Sequence, residues 1–144
     1  MLPLLNNQGD LPAGIHPATL DDIGQRFGTG SIARSRALLR LRHLHELAVR
    51  TAKLQRFYVF GSFVSTAPEP RDIDVALIMS ADFRVEDSPR ECRTLFSHAD
   101  AQARYEASVF WLRAGMVSAT ALTDFLDAWQ TKRDGSKRGI VEIV

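Results

Sequence analysis

Cysteine is nearly absent from this chain, in which Cys92 stands alone. One cysteine cannot form an intramolecular disulfide, and without a second cysteine or a neighbouring pair of histidines it argues against a zinc site. Long apolar runs are also missing, since none approaches the roughly 20 residues of a membrane-spanning helix. Residues 1–9 lack the basic and apolar regions of a secretory signal. We therefore expect a cytoplasmic protein with no membrane partner.

Neither sign of charge is in excess, because the formal net charge is only +1 at pH 7. Such a balance neither requires nor excludes a nucleic-acid partner. The sequence shows no internal repeat and no low-complexity segment. Its 144 residues, 45% of them hydrophobic and 24% charged, are typical of a single globular domain. We expect a flexible arm over residues 1–10 and one domain over residues 11–144.

Residues 57–79 carry the strongest signal. They predict a short buried strand, a turn at Gly61-Ser62, a loop with two prolines, and a second strand that begins with Asp72 and Asp74 on either side of Ile73. Alternation along a strand puts these two aspartates on the same side. The apolar run that follows is typical of a strand covered on both faces.

Two carboxylates held side by side at the mouth of a core strand repel each other, and burial adds to the cost. A divalent cation removes that cost, and Mg2+ suits one or two carboxylates completed by water and phosphate. Gly61 lets the backbone turn tightly and approach a ligand, while Ser62 can cap a short helix or donate to a phosphate oxygen. The two half-sites can then face each other across the loop.

The Gly61-Ser62 pair, nine intervening residues, then Asp72-Ile73-Asp74 and an apolar strand together resemble the signature of the nucleotidyltransferase superfamily that includes DNA polymerase β and the minimal bacterial nucleotidyltransferases. The resemblance implies that the Gly-Ser turn holds a nucleoside triphosphate and that the aspartates bind two Mg2+ ions, or Mn2+ in their place. Segments 11–20, 61–64 and 137–141 also resemble a group of small, poorly characterised bacterial proteins in that superfamily.

The resemblance further implies a third carboxylate on a later strand. The β-branched and aromatic residues 107–112 predict that strand. Glu106, at its start, is the candidate third metal ligand, and Asp100 lies too early. If neither reaches the metals, Ser108 occupies the place of the acid. A purely structural role for Glu106 stays open beside the catalytic one.

Residues 132–139 form a basic, glycine-punctuated loop. Lysine and arginine pair well with phosphate, so Lys137 and Arg138 are candidate nucleotide contacts, ahead of Lys132 and Arg133. A solvated loop is the alternative.

The remaining elements follow from caps and periodicity. They are a helix from Thr19 to about Gly28, an amphipathic helix over about 32–54, a helix over about 89–101, a helix from Ser118 through Trp129, and a last strand over 140–144. The order predicts an α+β fold with a small mixed sheet and helices mainly on one face, which the resemblance also implies.

Two functions are consistent with these features. The first is a Mg2+-dependent nucleotidyltransferase that moves a nucleoside monophosphate to a protein or RNA hydroxyl. The second is an inactive nucleotide- or partner-binding module on the same fold. The resemblance connects either one with toxin-antitoxin pairs.

Overall fold

A computed structural model describes residues 2–144. These residues contain five strands and four α-helices. In order they are β1 (Ile15–Ala18), α1 (Leu20–Phe27), α2 (Ile32–Arg50), β2 (Leu54–Phe60), β3 (Ile73–Met79), α3 (His98–Tyr105), β4 (Ala107–Arg113), α4 (Ala119–Trp129) and β5 (Ile140–Ile143). Short 3-10 turns lie at Ser62–Val64, Val85–Asp87 and Arg90–Phe96.

The strands form one mixed sheet in the order β1-β5-β2-β3-β4. β2 and β3 are an antiparallel pair, β4 runs parallel to β3, β5 runs antiparallel to β2, and β1 runs parallel to β5. The start of β3 therefore lies beside the start of β4 and the end of β2. This arrangement confirms the predicted small α+β fold with a mixed sheet.

Helices cover the two sheet faces unequally. The larger core joins α1, α2, α3 and the Arg90–Phe96 turn to one face, through side chains such as Leu41, Leu44 and Leu77. On the other face α4 packs over a small cluster that includes Tyr58 and Ile78. The prediction of helices mainly on one face is confirmed.

Helix starts agree with the predicted caps. The Thr19 hydroxyl accepts a hydrogen bond from the Asp22 amide at 3.1 Å, and the Asp22 carboxylate accepts one from the Thr19 amide at 3.1 Å. Ser31 and Ser118 cap α2 and α4 in the same way, each accepting from an amide 3.1 Å away. These local hydrogen bonds are readable from sequence because both partners lie within three residues.

Helix ends and one strand differ from the prediction. α2 ends at Arg50, since Ala52 takes a left-handed φ of 60° and Leu54 already belongs to β2. The predicted helix over 89–101 is instead a 3-10 turn followed by α3, with Ser97 capping α3. The segment expected to be merely extended before α1 contains β1, which pairs with β5.

Both ends of the segment 2–10, which belongs to the expected arm, contact the rest of the domain. Leu2 is buried, and the Arg26 guanidinium donates to the carbonyls of Leu2 and Pro3 at 3.0 and 2.7 Å. Asp10 is buried and forms an isolated antiparallel bridge with Ser65. Met1, also part of the expected arm, lies outside the described residues. Within residues 2–144 no helix is long and apolar enough to cross a membrane.

Candidate functional site

An open cleft of about 490 Å³ lies at the end of the sheet where β2 ends and β3 begins. Asp74 on β3 is paired in register with Phe60 on one side and Ser108 on the other. Directly paired residues point to the same face, so Asp74 and Ser108 share the face that carries α4. The cleft is lined by Ser62, Ala67, Glu69, Pro70, Arg71, Asp72, Asp74, Ser108 and Arg133.

Gly61 packs against the Asp74 carboxylate. Its φ of +82° is a conformation that residues with a side chain rarely adopt, and a Cβ there would lie 2.1 Å from Asp74 Oδ2. The bare backbone of Gly61 therefore lets the turn and the carboxylate approach each other. The structure brings the two halves of the predicted motif together at this contact.

Ser62 begins the 3-10 turn that follows. The Ser65 hydroxyl donates to the Ser62 carbonyl at 2.6 Å and closes the turn. Among residues 2–144 the Ser62 hydroxyl forms no hydrogen bond, although it lines the cleft. This hydroxyl is therefore available to a ligand.

Arg34, a buried arginine on α2, holds the same turn through hydrogen bonds to backbone carbonyls. The Arg34 guanidinium donates to the carbonyls of Phe27 and Phe63, both at 3.0 Å, and to that of Ser65 at 2.6 Å. It also donates to the Ala67 carbonyl. Burial lowers the pKa of Arg34. One side chain thus holds both the turn and the chain that leaves it.

Arg34 was not among the residues predicted to be functional. Its position nevertheless indicates burial, because it precedes Ala37, Leu41 and Leu44 at the spacing of three and four that marks the buried face of α2. A charged residue in that position indicates a buried polar contact.

The two aspartates interact through their charges. The pKa of Asp74 is raised to about 6, first by burial and then by the Asp72 charge, while Arg138 acts in the opposite direction. Neither carboxylate forms a hydrogen bond or an ion pair within residues 2–144. Folding therefore holds an ionisable pair together without a protein partner, which is typical of a binding site.

Glu106 does not join this pair. It ends α3 in a left-handed conformation with φ 49°, and its carboxylate lies 3.2 Å from Arg40 on α2. It lines a neighbouring groove together with Arg40 and Asp72, so that groove and the cleft have Asp72 in common. The described part of the chain, 2–144, contains no group of three or more His, Cys, Asp or Glu residues that could hold a metal ion. The third acid expected from the resemblance is not assembled, and Ser108 stands beside Asp74.

The basic loop contributes differently from the expectation. Lys137 contacts Asp127 at 2.9 Å and Thr131 at 2.6 Å, so it is bound to α4 and the loop that follows. Arg138 lies close enough to act on Asp74 and is 3.8 Å from Asp10. Arg133, the weaker candidate in the sequence, lines the cleft.

The donor set fits one divalent cation. Asp72 and Asp74 supply two hard oxygen ligands, and the open cleft leaves room for the water and phosphate ligands that Mg2+ prefers. The Gly61 contact keeps the Asp74 carboxylate at the mouth of the turn. Two ions sharing three protein carboxylates, as the resemblance implies, have no counterpart in these residues.

Comparison with known proteins gives a single assignment. No curated protein and no solved structure matches the chain. A family model described as a family of unknown function, DUF6932, matches residues 3–144. Since that match covers nearly the whole chain, the protein belongs to the DUF6932 family.

Proposed function

We propose that the protein is a Mg2+-dependent nucleotidyltransferase that moves a nucleoside monophosphate from a nucleoside triphosphate to a hydroxyl of a protein or an RNA. The observation that carries this proposal is the contact between the Gly61 turn and the Asp74 carboxylate in an open cleft. The Ser62 hydroxyl, which can donate a hydrogen bond to phosphate, and the carboxylate oxygens that can bind a metal ion then line the same cleft.

Each residue of the cleft has a distinct role in the proposed reaction. The Ser62 hydroxyl donates to the terminal phosphates, and Gly61 lets the backbone approach them. Arg133, which also lines the cleft, neutralises phosphate charge. Asp72 and Asp74 would hold the cation. When bound, Mg2+ would stabilise the negative charge that develops on the reacting oxygens.

Transfer is an in-line displacement at the α-phosphorus. The acceptor oxygen forms a bond to that phosphorus, the bond to the bridging oxygen breaks, and pyrophosphate leaves with the electron pair. The proton of the acceptor hydroxyl passes to solvent in the open cleft. The protein contributes mainly position and charge.

One observation favours the second function, an inactive nucleotide- or partner-binding module. Ser108 stands beside Asp74, and the Glu106 carboxylate contacts Arg40 instead of the cleft. Two carboxylates suffice to bind a metal-nucleotide complex, whereas the resemblance implies that a third assists activation of the acceptor. Such a module, or the enzyme itself, fits one component of a toxin-antitoxin pair.

The two functions are separated by a label-transfer experiment. The purified protein is incubated with each α-labelled nucleoside triphosphate, Mg2+ or Mn2+, and a total cell lysate. The enzyme transfers label to a macromolecule, and sensitivity to protease or ribonuclease identifies the acceptor class. A chain carrying Asp72→Asn and Asp74→Asn must lose the label. The matched control changes two exposed carboxylates away from the cleft, Glu86→Gln with Asp87→Asn, and must keep it.

Absence of label in the wild-type reaction contradicts transfer activity. If the same protein still binds nucleotide with Mg2+, the result supports the inactive module instead.

A further inference from the structure

An exposed aromatic side chain lies beside the cleft. Phe110 follows Ser108 by two residues on β4, so its side chain is on the same sheet face as Ser108 and Asp74. The two positions are about 7 Å apart along the strand. Phe110 is 43% exposed although it belongs to a strand. Helix α4 packs over Tyr58 and Ile78 on that face and leaves Phe110 outside its cluster.

Neighbouring rings hold Phe110 in place. The Phe60 ring centroid lies 6.1 Å away at an interplanar angle of 36°, and the His98 ring lies 6.0 Å away on another element. Phe60 is itself stacked on Trp129, with centroids 5.9 Å apart and planes 21° apart. The exposed ring is thus supported by a row of aromatic side chains that begins next to Asp74.

We propose that Phe110 is a stacking surface for the nucleobase of the nucleoside triphosphate bound in the cleft. This inference rests on the proposed function, which places the phosphates at Ser62 and Arg133. A ligand with its phosphates there and its α-phosphate at Asp74 extends its base along the sheet face, and Phe110 is the exposed ring one strand step beyond Ser108.

Stacking determines which nucleotides are preferred. Every base has a flat face, so stacking on an aromatic ring discriminates weakly among bases. Purines present the larger face. All four nucleoside triphosphates are therefore expected to bind, with ATP and GTP somewhat tighter than CTP and UTP.

The test compares two probes on the full chain with Mg2+, namely ATP and inorganic tripolyphosphate. Phe110→Ala removes the ring, and loss of one stacked base weakens ATP binding by about tenfold or more. Tripolyphosphate has no base, so its affinity stays unchanged. Phe110→Trp keeps a stacking surface and is expected to retain ATP binding. Thermal melts of each variant report whether the fold is intact.

Phe125→Ala is the matched control. Phe125 is 40% exposed and stacks on Trp129 with centroids 6.1 Å apart, at the far end of the same row. Its loss must leave ATP binding unchanged. The proposal is overturned if Phe110→Ala binds ATP like wild type, or if ATP and tripolyphosphate weaken equally. Wild-type protein that binds neither probe overturns the proposed function as well, and the two failures are thereby distinguished.

Discussion

Asp74 concentrates the properties of the site in one residue. It is half-buried, lies against the bare backbone of Gly61, and shares the cleft with a second carboxylate, Asp72, which lies just before β3. The pKa of Asp74 is raised to about 6, first by burial and then by Asp72. The folded chain keeps this carboxylate in a place that opposes its ionisation, which is expected where ligand binding, rather than stability, has selected the residue.

The pKa of Asp74 predicts a pH-dependent gain of stability on Asp74→Asn. Below the usual pKa of 3.8 the group is protonated whether the chain is folded or unfolded. As the pH rises through 3.8 toward about 6, only the unfolded chain ionises freely, so the folded state loses stability over that window. A gap of about two pH units corresponds to at most about 3 kcal/mol.

Without metal, the Asn variant should therefore melt higher than wild type at pH 7.5 and at nearly the same temperature at pH 4. Thermal unfolding in a chelator at both pH values measures the difference. A variant that is less stable than wild type at pH 7.5 contradicts the account. In a parallel experiment at pH 7.5 without the chelator, Mg2+ should raise the melting temperature of wild type only.

At the scale of elements, the site depends on the turn at Ser62–Val64 and on the helix beneath it. The Arg34 guanidinium from α2 donates to a carbonyl within that turn and to another directly after it. Arg34→Met leaves several buried carbonyls without a donor, and each costs about 1–3 kcal/mol. We expect a total loss of at least about 3 kcal/mol in the free energy of unfolding, measured by urea denaturation.

Arg34→Lys tests the geometry of the same contact. Lysine keeps the charge but concentrates its three donors at one point, so it restores only part of the loss. Arg36→Met is the control, because Arg36 is exposed on the same helix and its change should stay within about 0.5 kcal/mol. If Arg34→Met and Arg36→Met are equally stable, the hydrogen bonds of Arg34 do not stabilise the turn.

Glu106 belongs to the junction between α3 and β4, where it contacts Arg40. More than half of its side chain is exposed, so the ion pair contributes only about 0–1 kcal/mol. Glu106→Gln should leave Mg2+-dependent ATP binding within about twofold of wild type and change stability little. Isothermal titration measures both affinities. A folded Glu106→Gln variant that no longer binds Mg2+-ATP would show instead that Glu106 takes part in metal binding.

Elements with local signals were predictable from the sequence. The caps at Thr19, Ser31 and Ser118 use partners three residues away. The two aspartates were predicted to lie together and both line the cleft, although β3 begins at Ile73 and Asp72 lies just before it. β1 carried no such signal. Its four residues include a proline, and it exists because it pairs with β5 at the other end of the chain, with Pro17 opposite Glu142.

Side-chain partners that come from distant elements were not predictable. Glu106 was expected at the metals because it begins β4, but the end of α3 turns it toward Arg40 of α2. Lys137 is held by Asp127 on α4, while Arg133 lines the cleft. In each case the charged side chain is evident from the sequence, but a contact with a residue far away in the sequence determines which group it binds.

Across the whole molecule, Asp10 connects the two ends of the chain with the site. Its buried carboxylate lies 2.8 Å from Lys132 and 3.8 Å from Arg138 in the basic loop, and its backbone pairs with Ser65. Asp10 therefore anchors the loop that brings Arg133 to the cleft.

Asp10→Asn should lower the free energy of unfolding by roughly 2 kcal/mol, less than for a fully buried pair because both cations reach solvent. It should also weaken ATP binding, since the loop that carries Arg133 loses its anchor. Chemical denaturation and isothermal titration check the two effects. Asp127→Asn is the control, because it breaks the exposed contact with Lys137 and should change neither. Equal behaviour of the two variants would argue against the anchoring role.

We propose that Asp72 and Asp74 hold a metal-nucleotide complex in the cleft. The most direct measurement is the affinity for ATP with and without Mg2+, in wild type and in the double variant with Asp72→Asn and Asp74→Asn. The account predicts tight binding only for wild type with Mg2+, and a double variant that is folded yet binds at least about tenfold more weakly. A double variant that binds Mg2+-ATP as well as wild type would contradict the site.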